Sequence, residues 1–114
     1  MTRQDYIRAV LDFYRGLPQT AARRRPSPAD HRLAAELFER HIPLRTLQAA
    51  CYLALTRRTS RPPEAPPLQP IRSLAYFLPV LEEVLHEPLQ PGYVRYLQAK
   101  LDLEDHFSTV LEER

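Results

Sequence analysis

The sequence has 114 residues, 16 Lys+Arg against 14 Asp+Glu, 12 prolines and 2 glycines. That length allows one domain with one modest core and is too short for a barrel enzyme or a doubly wound nucleotide-binding fold. A hydrophobic share of 44% excludes a fully disordered chain, and a single cysteine, Cys51, excludes an internal disulfide framework or a four-cysteine zinc site. No apolar run approaches the ~20 residues of a membrane span. Met1-Thr2-Arg3-Gln4-Asp5 lacks the apolar region of a signal peptide. The expectation is a cytoplasmic, single-domain protein with no membrane partner.

The net charge of +2 hides an asymmetry. Residues 1–61 carry 12 arginines and 5 acids, whereas residues 62–114 carry 4 bases and 9 acids, so the halves stand at +7 and −5. Fifteen of the bases are Arg and one is Lys100. The guanidinium offers a planar fork of donors that suits phosphate and carboxylate better than an ammonium does. Arg-rich codon usage explains the preference for Arg but not its concentration in one half. That concentration points to an anionic partner for the first half.

Helical periodicity is the main signal along the chain. Tyr6, Ile7, Val10, Leu11, Tyr14 and Leu17 share one face of a helix from about Arg3 to Gly16. Thr2 and Asp5 have capping-box spacing, and Gly16 and Pro18 stop the helix. A polar stretch containing Arg23, Arg24 and Arg25 comes next. Ser27-Pro28-Ala29-Asp30 then starts a second helix: a capping hydroxyl, a proline at the first helical position and an acid at the positive end of the dipole. It carries Leu33, Ala34, Leu37 and Phe38 and ends near His41. Pro43 opens a third helix to about Thr59. That helix is apolar over more than one stripe, through Leu44, Leu47, Ala49, Ala50, Cys51, Leu53, Ala54 and Leu55, so it is expected at the centre of the fold.

Residues 61–70 contain five prolines, which forbid helix and sheet interior alike. They read as an extended, polyproline-II-like linker, a spacer in preference to a ligand for an SH3- or WW-type module. Ile71, Leu74, Leu78, Leu81, Val84 and Leu85 mark another helical pattern to Glu87. Pro79 falls inside it, so a kink or break is expected at Phe77-Leu78, with Ser73 able to cap a first segment. Pro91 opens the last helix, with Tyr93, Val94, Leu97 and Leu101 expected inward. Asp102 to Arg114 either continue it or fray. No strand pattern or internal repeat is convincing. The fold class read from these patterns is all-α: a compact bundle of about five helices, one domain over 1–114, with a proline-rich linker within it.

Catalytic and metal motifs are absent from the sequence. His31, His41, His86 and His106 are isolated, and no H-E-x-x-H signature occurs. Cys51 lies among apolar residues and reads as a small buried hydrophobe. Two glycines cannot build a phosphate-cradling loop. Glu82-Glu83 and Glu104-Asp105 are adjacent on helical patterns, where neighbours point apart. No enzyme activity, cofactor or metal is expected.

Three features can carry binding. Residues 29–58 read as a helix–turn–helix outline, in which Arg45, Thr46 and Gln48 would be exposed at the start of the second helix; Arg and Gln match guanine and adenine edges. The turn lacks the usual glycine, and any αα-hairpin gives the same outline. The second feature is the arginine set. Arg23, Arg24 and Arg25 precede a helix start, Arg57, Arg58 and Arg61 flank a helix end, and antiparallel packing would bring them into one basic rim on phosphates, with Arg32 adding to the basic half. The competing reading is a solvated surface with favourable charge at a helix C-terminus. The third feature is the segment 71–84, where Arg72 and the aromatics Tyr76 and Phe77 either stack single-stranded bases or belong to the core.

Tyr76, Val80 and Leu81, coming after the helix–turn–helix outline, give residues 33–84 a resemblance to the C-terminal helical domain of DnaD-type replication-initiation proteins of bacterial primosomes, phages and plasmids. The resemblance implies single-stranded DNA binding and helicase loading through the tyrosine segment, which concerns Tyr76, Val80 and Leu81 here. Val84 stands where that family has a tryptophan, and Pro79 and the proline-rich linker are foreign to it. Two readings emerge. One is a small nucleic-acid-binding accessory factor, DNA more than RNA, of mobile-element replication or recombination, whose acidic second half meets a protein. The other is a helical protein–protein adaptor without nucleic-acid contact, and an oligomer is compatible with either.

Overall fold

Two capping hydroxyls start the first two helices, and a proline stands where a 3₁₀ turn passes into the fourth. A computed structural model describes the backbone at residues 1–20 and 25–112, and side chains at 1–20 and 25–102. Helix α1 spans Arg3–Arg15, α2 Pro28–Glu39, α3 Leu44–Thr59, α4 Leu78–His86 and α5 Pro91–Glu112, and a 3₁₀ turn at Leu74–Phe77 leads into α4. The described residues hold no strand, only a lone parallel bridge between Thr20 and Ile71. The all-α class read from the sequence is the observed one. The last helix continues to Glu112.

In α1 the Thr2 hydroxyl accepts from the Asp5 N–H at 3.1 Å and the Asp5 carboxylate accepts from the Thr2 N–H, closing the capping box. Tyr6, Val10, Leu11 and Tyr14 form its buried face. The Tyr6 hydroxyl donates to the Ile42 carbonyl at 2.7 Å, which fixes α1 to the turn after α2. Tyr14 is fully buried, and burial, with the nearby Asp30 charge and Cys51, pushes its phenol up to about 12.

Ser27 caps α2 as its spacing predicts, accepting from the Asp30 N–H at 3.1 Å, with Pro28 in the first turn. Asp30 goes further than a dipole role. One carboxylate oxygen accepts from Ser27 N–H at 3.1 Å and the other from Leu74 N–H at 3.0 Å. At the far end, the Ile42 N–H reaches the Leu37 carbonyl and the His41 N–H reaches the Phe38 carbonyl, the paired bonds of a Schellman motif. His41 occupies the left-handed position at φ 58°. This is the place a glycine ordinarily fills, and the reason the turn forms without one: histidine tolerates that region better than most residues with a Cβ.

Helix α3 is the centre. Leu47, Ala49, Ala50, Cys51, Ala54 and Leu55 are buried on it, and it packs against α1, α4, α5 and the 3₁₀ turn. Its apolar residues spread around the helix because neighbours sit on several sides. Pro79 divides the next pattern. Ser73 caps the 3₁₀ turn through the Ala75 N–H at 3.1 Å, the turn ends at Phe77, and Pro79 lies in the first turn of α4, where its missing N–H breaks no helical bond. Leu97 and Leu101 of α5 are buried as expected, but Tyr93 is 43% exposed and does not point inward. The inward stripe of α5 is set by Leu97 and Leu101, and Tyr93 stacks instead on exposed Tyr96 at 6.1 Å.

Because His41 is exposed and a Cβ in the left-handed region costs about 1–2 kcal/mol, replacement by glycine should stabilise the fold. The gain is smaller than that strain because glycine also loosens the unfolded chain. Chemical denaturation of His41→Gly is expected to show an unfolding free energy higher by about 0.5–1 kcal/mol, and so a higher midpoint; a lower midpoint contradicts the strain assigned to this turn.

Candidate functional site

Adjacent residues on a helix point about 100° apart, so Arg57 and Arg58 leave the C-terminal end of α3 in different directions. Arg57 reaches α4 and makes a two-pronged pair with Glu83 at 2.9 and 3.0 Å. The Arg57 hydrogen bonds hold the Glu83 carboxyl below its ordinary range. Both partners are about half exposed, so this pair orients α4 on α3 more than it stabilises the fold.

Arg58 is a fastening point. Its Nε donates to Gln19 Oε1 at 2.9 Å, one terminal nitrogen donates to the Tyr76 hydroxyl at 3.3 Å, and the other donates to the Gln69 carbonyl. Its guanidinium carbon lies 5.5 Å from the centroid of the Tyr76 ring, within cation–π range. Gln19 holds a left-handed φ of 63°, and its carbonyl accepts from the Ile71 N–H at 2.8 Å. Arg61 donates to the Pro66 carbonyl at 2.8 Å, and a turn closes from the Ala65 N–H to the Pro62 carbonyl. Residues 61–70 are thus a strap held to α3 by Arg58 and folded on itself by the Arg61–Pro66 bond, where the proline content alone suggested a spacer. Between strap and helix lies an open cleft of about 370 Å³, bordered by Gln19, Arg58, Arg61, Pro66, Leu68 and Pro70.

The remaining candidate residues fall elsewhere. Arg45 is exposed in the first turn of α3, and Thr46 and Gln48 are half-buried. The α2–turn–α3 outline is present, but α2 packs chiefly on α1 while α3 packs on α4 and α5. Arg32 and Arg72 are exposed. Arg23 and Arg24 lie outside the described residues. Arg25 borders a second cleft, of about 360 Å³, with Gln4, Arg8, Leu11, Arg15 and His31. That cleft shares no lining residue with the one beside Arg58 and Arg61.

The aromatics separate cleanly. Phe77 is 1% exposed and meets the Tyr14 ring edge-on at 6.3 Å, whereas Tyr76 is 44% exposed. Sequence reasoning missed the exposed Tyr93–Tyr96 stack and the arginines at 8 and 15. The signals were present: Tyr93 and Tyr96 are three apart on one helix, and Arg8 and Arg15 are two turns apart beside the polar Gln4 and Asp12. Cys51 is buried at the heart of α3, and burial pushes its thiol far up, which disfavours the reactive thiolate. Among the described residues no three His, Cys, Asp or Glu side chains gather as a metal site, and no described helix is long and apolar enough to cross a membrane.

No protein-family model matches this chain, and neither the curated proteins nor the solved structures searched contain a match.

Glu64 is exposed within the strap, and if Arg58 fastens the strap, its loss frees the backbone around Glu64 to take the extended form a protease binds. Cleavage after Glu64 by a glutamate-specific protease is expected to run about tenfold faster in Arg58→Ala than in the wild-type protein, since hydrogen bonds to a charged group are worth about 1.5–3 kcal/mol. Equal cleavage rates contradict the fastening role.

Proposed function

We propose that this protein is a small non-catalytic nucleic-acid-binding accessory factor that contacts phosphates through its arginines. The observation that carries this reading is Tyr76: a ring 44% exposed, with the Arg58 guanidinium 5.5 Å from its centroid, beside a buried Phe77. An exposed ring backed by a cation offers a stacking surface for a base, and stacking tolerates any sequence. The stacked pair Tyr93–Tyr96 offers a second aromatic surface on α5. Arg25, Arg32, Arg45 and Arg72 are exposed and make no ion pair with another described residue, so their donors are available to phosphates. A role in replication or recombination of a mobile element rests on the Tyr76, Val80 and Leu81 resemblance alone.

The second reading, a helical adaptor that binds only proteins, is favoured by one specific feature. Arg40 pairs with Glu82 at 2.9 Å and Arg57 with Glu83 at 2.9 Å, so arginines of the basic half already meet carboxylates of the acidic half. A partner protein with an acidic surface would meet the same forks.

A mobility-shift assay at low salt on duplex DNA, single-stranded DNA and RNA separates the two. The accessory-factor reading expects binding that weakens steeply with salt. Tyr76→Ala is expected to weaken single-strand binding by about 5- to 10-fold, the lower part of the ~1–3 kcal/mol that one stacked base contributes. Replacing Arg23, Arg24 and Arg25 together by Ala is expected to lower affinity on every sequence and flatten the salt slope by about 2, at roughly 0.7–0.9 per phosphate contact. No shift on any substrate overturns the reading in favour of the adaptor.

A further inference from the structure

The two clefts differ in what their arginines are doing. Around the first, Arg58 and Arg61 spend their donors on Gln19, Tyr76 and the carbonyls of the strap. Around the second, Arg8, Arg15 and Arg25 are exposed and none forms an ion pair within the described residues. Arg8 and Arg15 project from α1 seven residues apart, about 10 Å along the helix axis. Arg25 stands on the opposite wall, next to Pro26 and ahead of His31. Ile7 and Leu11 give the cleft an apolar component; Leu11 is only 6% exposed and belongs to the core, so that part of the wall is rigid.

Charge narrows the ligand. The lining contains three arginines and one carboxylate, Asp12. Counting the Arg and Asp side chains alone, the lining carries an excess of two positive charges. A carboxylate ligand leaves half of that excess unmatched. A phosphate monoester carries about −1.5 to −2 at neutral pH and presents three acceptor oxygens, each able to accept from a guanidinium fork. The cleft volume of about 360 Å³ is at the small end of the ~300–1,000 Å³ range of ligand pockets. It suits one phosphorylated group with a planar or apolar body, not a long polymer.

From this we infer that the cleft between α1 and the Arg25–His31 segment binds a phosphate monoester on a planar or apolar body. Arg8, Arg15 and Arg25 hold the phosphate, and the body rests on Ile7 and Leu11. A free nucleoside monophosphate and the 5′-phosphorylated end of a strand share this chemistry. The inference deepens the phosphate-contact reading above, and it assigns that contact to arginines other than those at the end of α3.

The experiment uses the full chain and a titration followed by amide chemical shifts. Adenosine monophosphate is expected to shift amides of residues 7–15 and 25–31, and adenosine to leave them unmoved. Arg8→Gln with Arg15→Gln, both exposed and both replaced by a good helix former, is expected to weaken adenosine monophosphate binding by about tenfold or more. Arg95→Gln, outside the cleft, is expected to have no effect. A 5′-phosphorylated oligonucleotide binding more tightly than its 5′-hydroxyl counterpart identifies the strand end as the source. Tighter binding of the free nucleotide identifies the mononucleotide. Absence of any shift with adenosine monophosphate, or equal binding by adenosine, overturns the inference. Oligonucleotide binding that is indifferent to Arg8 and Arg15, with no adenosine monophosphate shift, overturns it while leaving the accessory-factor reading standing. Conversely, nucleotide binding at the cleft with no mobility shift on any strand supports the cleft and removes the wider reading.

Discussion

The carboxylate of Asp30 joins the two halves of this protein. It is 3% exposed, and among the described residues it is the buried charged side chain. One oxygen accepts from Ser27 N–H at the start of α2, and the other accepts from Leu74 N–H, 44 residues later, at the start of the 3₁₀ turn. A buried carboxylate is tolerated only when its oxygens are satisfied. The chain meets that demand by bringing the first turn of α2 and the 3₁₀ turn together. The position of that turn then sets the two aromatics within it. Phe77 goes into the core against Tyr14, and Tyr76 stays outside under Arg58.

The charge asymmetry of the sequence takes physical form in the same framework. Two arginines of the basic half, Arg40 and Arg57, spend themselves on Glu82 and Glu83 of α4. Arg58 holds the proline-rich strap, and Arg61 folds the strap on itself. Exposed pairs of this kind contribute little to stability, but they decide which guanidinium groups remain available. Among the described arginines of the basic half, Arg8 and Arg15 on α1, Arg25 ahead of α2, Arg32 on α2 and Arg45 at the start of α3 have neither an ion pair nor a strap contact. The arginines of the basic half are therefore put to different uses. The α3 end of that half is committed to architecture, and its α1 side, around Arg8, Arg15 and Arg25, is open.

Local chemistry is legible in the sequence. The Thr2–Asp5 and Ser27–Asp30 boxes, the division at Pro79 and the central place of α3 depend on residues a few positions apart or on the breadth of an apolar face. The long-range uses are not legible. Nothing near Asp30 announces Leu74, and nothing near Arg58 announces Gln19, Gln69 and Tyr76, because those partners are fixed by packing. Tyr93 reads inward because Tyr93, Val94, Leu97 and Leu101 fit one helical face. Burial of Leu97 and Leu101 turns Tyr93 to the rim, where an aromatic ring is tolerated. The proline-rich segment reads from composition as a spacer; its carbonyls, which every proline retains, are what the arginines hold. Of the candidate site, exposure at Tyr76 is one of two alternatives the sequence leaves open, while the cleft on α1 depends on Arg25 facing α1 and cannot be read from spacing alone.

The central claim is that the two Asp30 hydrogen bonds couple the start of α2 to the 3₁₀ turn. Urea unfolding of Asp30→Asn tests it most directly. An asparagine of the same shape has one acceptor oxygen and turns an amide N–H toward the other donor, so one of the two N–H groups, at Ser27 or Leu74, loses its partner. The account predicts a loss of about 1–3 kcal/mol, the cost of leaving a buried donor unsatisfied. An Asp30→Asn variant as stable as the wild-type protein would contradict it.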